Sequence, residues 1–190
     1  MTAPGAFTEA SSSPGETRGA PIPAVAKIAR AWQALAGVLD PELPALSIVE
    51  LGIVRGVHID DSTLVVDVTP TYSGCPAIEA IQLAIHDALA EAGLADARVA
   101  IGLAPPWTTD WIAPEGKRKL RDFGIAPPHA GGTRVDITGI SPLRRSGAAV
   151  PCPRCASTHT RLLAQFGSTA CKAQYRCDAC LEPFDYFKPH

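Results

Sequence analysis

The stretch Ile53-Val-Arg-Gly-Val-His-Ile-Asp-Asp-Ser-Thr-Leu-Val-Val-Asp-Val68 holds two β-branched runs, Ile53 to Ile59 and Thr63 to Val68, joined by Asp60-Asp61-Ser62. Short β-branched runs bounded by turn residues predict an antiparallel hairpin. Towards the N-terminus, Val25, Ile28, Trp32, Leu35 and Leu39 recur at intervals of three and four, predicting a helix from Pro23 that ends before Asp40-Pro41. Towards the C-terminus, Pro76 to Ala92 predicts a second helix, with Ile78, Ile81, Ile85, Ala88 and Leu89 on its buried side and Pro76 suited to its first turn. A third strand is expected at Arg98 to Leu103 and a short helix at Pro114 to Phe123. The order α-β-β-α-β-α predicts an α+β domain, residues 23–124, with helices packed on a small three-stranded mixed sheet.

The last forty residues carry a different signal. Cys152-Pro-Arg-Cys155 and Cys177-Asp-Ala-Cys180 are two C-x-x-C knuckles, each of which turns both sulfurs towards one point. Together they make the four-thiolate tetrahedral shell that zinc prefers, and residues 150–190 read as a zinc ribbon with structural zinc. Two disulfides are the lesser reading. His159 and His190 are less fitting ligands, because four thiolates already fill a tetrahedron. Phe184, Tyr186 and Phe187 are expected to cover the ribbon's sheet, since so small a unit lacks a core of its own without metal. Cys171 precedes Cys177 by six residues and would share its face if one regular strand joins them. It is an auxiliary thiol that could be a spare ligand, a redox handle or a packed strand residue.

Between and before these units the chain is rich in turn residues. Residues 1–22 are Ser, Pro, Gly, Ala and Thr-rich without periodicity and are expected to be a disordered leader. Residues 125–149 are a Pro/Gly-rich linker with a short strand expected at Arg134 to Ile137. There is neither a secretory signal nor an apolar run long enough to span a membrane, so a cytoplasmic protein with reduced cysteines is expected. The net charge of −2 conceals a division: residues 1–113 carry 13 acidic and 5 basic side chains, residues 114–190 carry 6 acidic and 12 basic. A basic half with a ribbon could bind nucleic acid, an acidic protein surface or its own acidic half.

Cys75 is the sole cysteine of the first domain and lies in Thr71-Tyr-Ser-Gly-Cys-Pro76, between a strand and a helix. The free N–H groups and positive dipole end of a helix favour a thiolate there, and Gly74 allows close approach of a partner. A buried Cys acting as a small hydrophobe is the competing reading. Asp40-Pro-Glu-Leu-Pro44, at the end of the first helix, could bring two carboxylates to the same place, and hard oxygens beside a soft thiolate suit transient iron better than permanent zinc. A solvated Pro-rich turn is the alternative for this segment. An iron–sulfur cluster on Cys75 would need further sulfurs from a second copy of the chain, in a homodimer, or from a partner.

Asp40-Pro-Glu42, Val49-Glu-Leu-Gly-Ile-Val54 and Thr71-x-x-x-Cys75-Pro76 resemble the small iron–sulfur cluster assembly domain of metal-centre maturation factors. Pro105-Pro-Trp-Thr-Thr-Asp-Trp111, the two knuckles, Phe166-Gly-Ser-Thr-Ala-Cys-Lys172 and Pro183-Phe-Asp-Tyr-Phe-Lys188 extend the resemblance to the PaaD family, accessory subunits of phenylacetyl-CoA epoxidase systems. The resemblance implies a part in aerobic phenylacetate catabolism without catalysis by this chain, which lacks paired Glu-x-x-His motifs and a Gly-rich dinucleotide fingerprint. It implies maturation of a di-iron or iron–sulfur centre. Cys75 would be the transfer thiolate, with Asp40, Glu42 and Thr71 shaping its site, and the oxygenase or reductase subunits would be the partners. The ribbon and the basic segment Lys117 to Arg121 would dock them. A rubredoxin-like electron carrier and a non-catalytic subunit bridging oxygenase and reductase are the alternatives, and nucleic-acid binding ranks last because the basic residues are not interleaved with aromatics.

Overall fold

In the computed structural model, which describes residues 23–128 and 149–189, β1 (Val54–Asp60) and β2 (Thr63–Val68) form the expected antiparallel hairpin, with Asp60 opposite Thr63 and Val54 opposite Val68. Asp61 and Ser62 take φ of 43° and 74°, the doubly left-handed turn whose twist matches that of paired strands. β3 (Arg98–Ile101) lies parallel to β2 on its other side, so the sheet is mixed, in the order β1-β2-β3. Parallel neighbours need a crossover, and α2 (Ile78–Glu91) supplies it. α1 (Ala24–Ala36) packs against α2 and β1. Alternate residues of β2, Leu64, Val66 and Val68, meet Ala31 and Leu35 of α1 and Ile81, Ile85 and Leu89 of α2 in one buried cluster. Each fully buried aliphatic side chain in it contributes about 1.5–3 kcal/mol.

The loop between α1 and β1 is held from three sides. Ser47 and Glu50 cap each other reciprocally, Ser47 N–H donating to Glu50 Oε2 at 2.9 Å and Glu50 N–H to Ser47 Oγ at 3.2 Å. Gly52 has φ of +70°, and a Cβ there would lie 2.7 Å from the Trp111 carbonyl oxygen, so only glycine fits. Trp107 Nε1 donates to the Leu51 carbonyl at 3.0 Å, and the Arg55 guanidinium stacks 3.4 Å above the Trp111 ring. Through these contacts the Pro105–Trp111 segment is clamped over the loop. α3 (Pro114–Asp122) follows, and its Lys119 Nζ reaches Glu50 Oε1 at 2.6 Å.

The second sheet has four strands in the order β4-β7-β6-β5: β4 (Ile125–Ala126), β5 (Thr160–Ala164), β6 (Lys172–Cys177) and β7 (Pro183–Phe187). Ile125 and Ala126, which the sequence assigns to the linker, pair in parallel with Asp185 and Tyr186. Two residues are too few to carry a period-2 signal, which is why the strand is silent in the sequence. The aromatic residues of β7 divide by parity. Phe184 and Tyr186 pack with Tyr175, Cys152 and Cys177 as expected, whereas Phe187 faces the other way into the core of the first domain, 6.1 Å from the Trp107 ring in an edge contact. The ribbon therefore shares a core with the α+β domain. The expected leader at 1–22, the strand at Arg134 to Ile137 and His190 lie outside the described residues.

Candidate metal-binding sites

The sulfurs of Cys152, Cys155, Cys177 and Cys180 all lie within 4.8 Å of one another, and no other group of three or more Cys, His, Asp or Glu among the described residues does so. Cys152 and Cys180 are 3.7 Å apart, Cys155 and Cys177 3.6 Å. A tetrahedron with metal–sulfur bonds of about 2.3 Å has sulfur–sulfur edges of about 3.8 Å, so the four residues fit one ion. These separations exclude disulfides, and all the cysteines are free. The knuckles match each other in detail: Ala156 and Leu181, each directly after a second cysteine, take left-handed φ of 60° and 65°. The Cys180 backbone N–H donates towards Cys177 Sγ at 3.5 Å, and with the Ala179 N–H it lowers the Cys177 thiol to about 6. The Cys180 thiol, although the Glu182 backbone donates to it, is pushed up to about 12 by burial and by the neighbouring sulfurs. Four such thiolates coexist only around a cation. His159 is exposed and outside the group.

The second site surrounds Cys75. It sits in the turn between β2 and α2, one residue pair ahead of the regular helix, with the Thr71 side chain and the Ala77 backbone N–H as hydrogen-bond partners. α1 stops at Ala36, short of the expected end before Asp40, because Leu39 leaves the helix to bridge Ser47, and Asp40 stands in the loop beyond that bridge. It is only 6% exposed, and its Oδ1 accepts from the backbone N–H groups of Glu42 at 2.9 Å and Leu43 at 2.8 Å. This turn aims Glu42 at the ribbon, where Cys171 Sγ lies 3.9 Å from Glu42 Oε2 and Lys172 Nζ 3.5 Å from the Glu42 carbonyl. Burial pushes the Cys75 thiol up, and the Glu42 and Asp40 carboxylates add to the rise against the lowering by Ala77 and Thr71. The sequence predicts a thiolate from the helix start; desolvation and two nearby acids act against that, and the Ala77 N–H and Thr71 in its favour. Burial likewise raises Asp40 and Glu42 above the ordinary carboxylate range, Asp40 adding to the rise at Glu42.

Residues 28–101 match the family model described as iron-sulfur cluster assembly protein, and residues 139–188 the one described as PaaD zinc beta ribbon domain. An Escherichia coli (strain K12) protein named as one of the subunits of 1,2-phenylacetyl-CoA epoxidase is 48% identical over 157 residues, 83% of this chain and 90% of that protein. The chain belongs to the PaaD family. Solved structures similar to it include a DUF59 domain from Bacillus anthracis, 28% identical, covering 50% of this chain and 92% of that one with a TM-score of 0.47. Another is a Mycobacterium tuberculosis protein described as associated with Fe-S complex assembly and repair, 32% identical over 59% of this chain and 98% of that one, TM-score 0.32.

In this PaaD-family chain Asp40 and Glu42 act on Cys75 by charge from a second loop, and Thr71 is hydrogen-bonded to it. Cys171 does not join the S4 group. Regular strand geometry starts only at Lys172, and from there to Cys177 the rise of about 3.3 Å per residue separates Cys171 from the knuckles by about 20 Å. Three residues of the site are invisible to sequence reasoning, namely Tyr72, Thr169 and the buried Lys172. Only the Phe166–Lys172 motif hinted at the last two. The basic run of α3 is largely spent internally, Arg118 pairing with Glu115 and Asp122 and Lys119 with Glu50. No helix among the described residues is long and apolar enough to cross a membrane.

Proposed function

We propose that this chain is an accessory maturation subunit of a phenylacetyl-CoA epoxidase system, which carries iron or an iron–sulfur cluster on Cys75 to the metal centres of the oxygenase or reductase. The observation that carries the reading is the convergence of Cys75 with the buried Asp40 and with Glu42, a thiol and two carboxylates in loops that flank one end of the sheet. Two acids and a thiol, all with raised pKa, are a site that is disfavoured when empty and ionised and is relieved by a cation. As iron binds, Cys75 Sγ forms the iron–sulfur bond and gives up its proton to solvent; the bond breaks again when a ligand of the receiving protein displaces it. No electron moves in either step. Thr71 and the Ala77 N–H orient the sulfur, and the partial exposure of Cys75 keeps the cargo exchangeable. The ribbon cysteines would hold zinc, which supplies a fixed tetrahedral crosslink and no open coordination position.

Expression of the epoxidase subunits with and without this chain tests the proposal. Partners made in its absence should be low in iron and turnover, and coexpression of the wild type but not of Cys75→Ser should restore both. Full iron content without the chain would leave only a structural bridging role. The rubredoxin-like alternative rests on the exposure of Cys155 and Cys180 at the S4 site. Aerobically purified protein that is colourless with about one zinc per chain excludes it.

A further inference from the structure

Cys171 belongs to the ribbon by sequence, yet it is 3% exposed and buried in the core cluster against which Cys75 packs. Its sulfur lies 3.0 Å from Thr169 Oγ1 and 3.9 Å from Glu42 Oε2, on the side of Glu42 that faces the ribbon. Tyr72, in the Cys75 loop, is raised by burial first and then by the charges of Cys75, Glu42 and Cys171. Among the described residues, Asp40 Oδ2 accepts no hydrogen bond, although the side chain is buried. A buried carboxylate oxygen without a donor calls for a cation. The nearest positive charge, Lys172, is already shared with Asp185 at 3.8 Å. The cluster therefore has two thiols, two acids and too little positive charge.

We infer that Cys171 is a second thiol ligand of the Cys75 site, with Glu42 as its carboxylate, so that the ribbon completes the iron-binding site of the α+β domain. The inference rests on the reading of Cys75 as an iron-binding thiol. The cargo it fits is ferrous iron, alone or with sulfide. Among the described residues these groups are not all within 4.8 Å of one another, unlike the knuckle sulfurs. Each thiol loses its proton to solvent as its bond to iron forms, and no redox step is required.

Full-length, zinc-loaded protein is mixed anaerobically with Fe(II), in one arm with sulfide and in the other without, desalted, and challenged with a chelator. Iron retention and sulfur-to-iron charge-transfer absorption are read for the wild type, Cys75→Ser, Cys171→Ser and Glu42→Gln, with zinc content and circular dichroism as folding controls. Cys75→Ser should retain no iron above background, and Cys171→Ser and Glu42→Gln should lose it about tenfold faster than the wild type or more. Retention confined to the sulfide arm would assign a cluster, and retention in both arms ferrous iron; either supports the site. A wild-type lifetime in Cys171→Ser, with loss in Cys75→Ser and Glu42→Gln, would overturn the composite site and leave the proposed function standing. Should Cys171→Ser fail to fold, Cys171→Ala, which leaves Glu42 in place, decides instead. Wild-type retention by Cys75→Ser, or no uptake by the wild type, would sink both.

Discussion

Glu50 shows how single side chains hold the site's framework. Burial works against its charge, but Lys119 and the Ser47 N–H hold its carboxyl below the ordinary range near 4.5. The folded state thus binds fewer protons there than the unfolded chain. Its stabilisation is fully present above about pH 4.5 and is lost as pH falls through the folded value. Glu50→Gln should cost about 1 kcal/mol at neutral pH and flatten the acid limb of a stability-against-pH profile, as denaturation at several pH values would show. Gly52 is less forgiving. With φ of +70° and the Trp111 backbone 2.7 Å from any Cβ, Gly52→Ala should destabilise by about 1–3 kcal/mol or more, read by denaturant melts. Asp40 and Glu42 have the opposite sign from Glu50: their raised pKa values mean that ionisation costs stability as pH rises through those values.

At the scale of elements, the hairpin, both long helices and the third strand were legible because each has its own hydrophobic period, and the knuckles because their spacing is chemical. What was not legible depends on contacts distant in sequence. The parity of β7 sends Phe187 to Trp107 although its neighbours Phe184 and Tyr186 stay in the ribbon, and no local pattern says which face meets another domain. The same holds for Cys171, placed by the turn before β6. Phe187→Ala should cost about 3–5 kcal/mol by opening the shared core, and should change Trp107 fluorescence before the α+β domain unfolds. Stripping metal from the knuckles should have a related effect. A strong chelator should melt β5 to β7 while leaving α1 and α2 folded, measured by hydrogen exchange. Because all four cysteines must be deprotonated to hold the ion, metal binding displaces protons and affinity should weaken as pH falls.

For the whole molecule, the ribbon packs on the α+β domain and shares its core. β4 crosses from one unit into the sheet of the other, Phe187 and Cys171 cross back into the core, and Lys172 reaches the Asp40–Glu42 turn. With the proposed composite site, sulfurs expected from a second copy or a partner would come in part from this chain's own ribbon. The central claim remains that Cys75 passes iron to the epoxidase system, and transfer itself is its most direct test. Wild-type and Cys75→Ser protein exposed to isotopically labelled iron, desalted, and incubated anaerobically with iron-depleted oxygenase and reductase subunits should differ completely. Label should appear in a partner subunit with the wild type and not with Cys75→Ser; equal label from both would contradict transfer by Cys75.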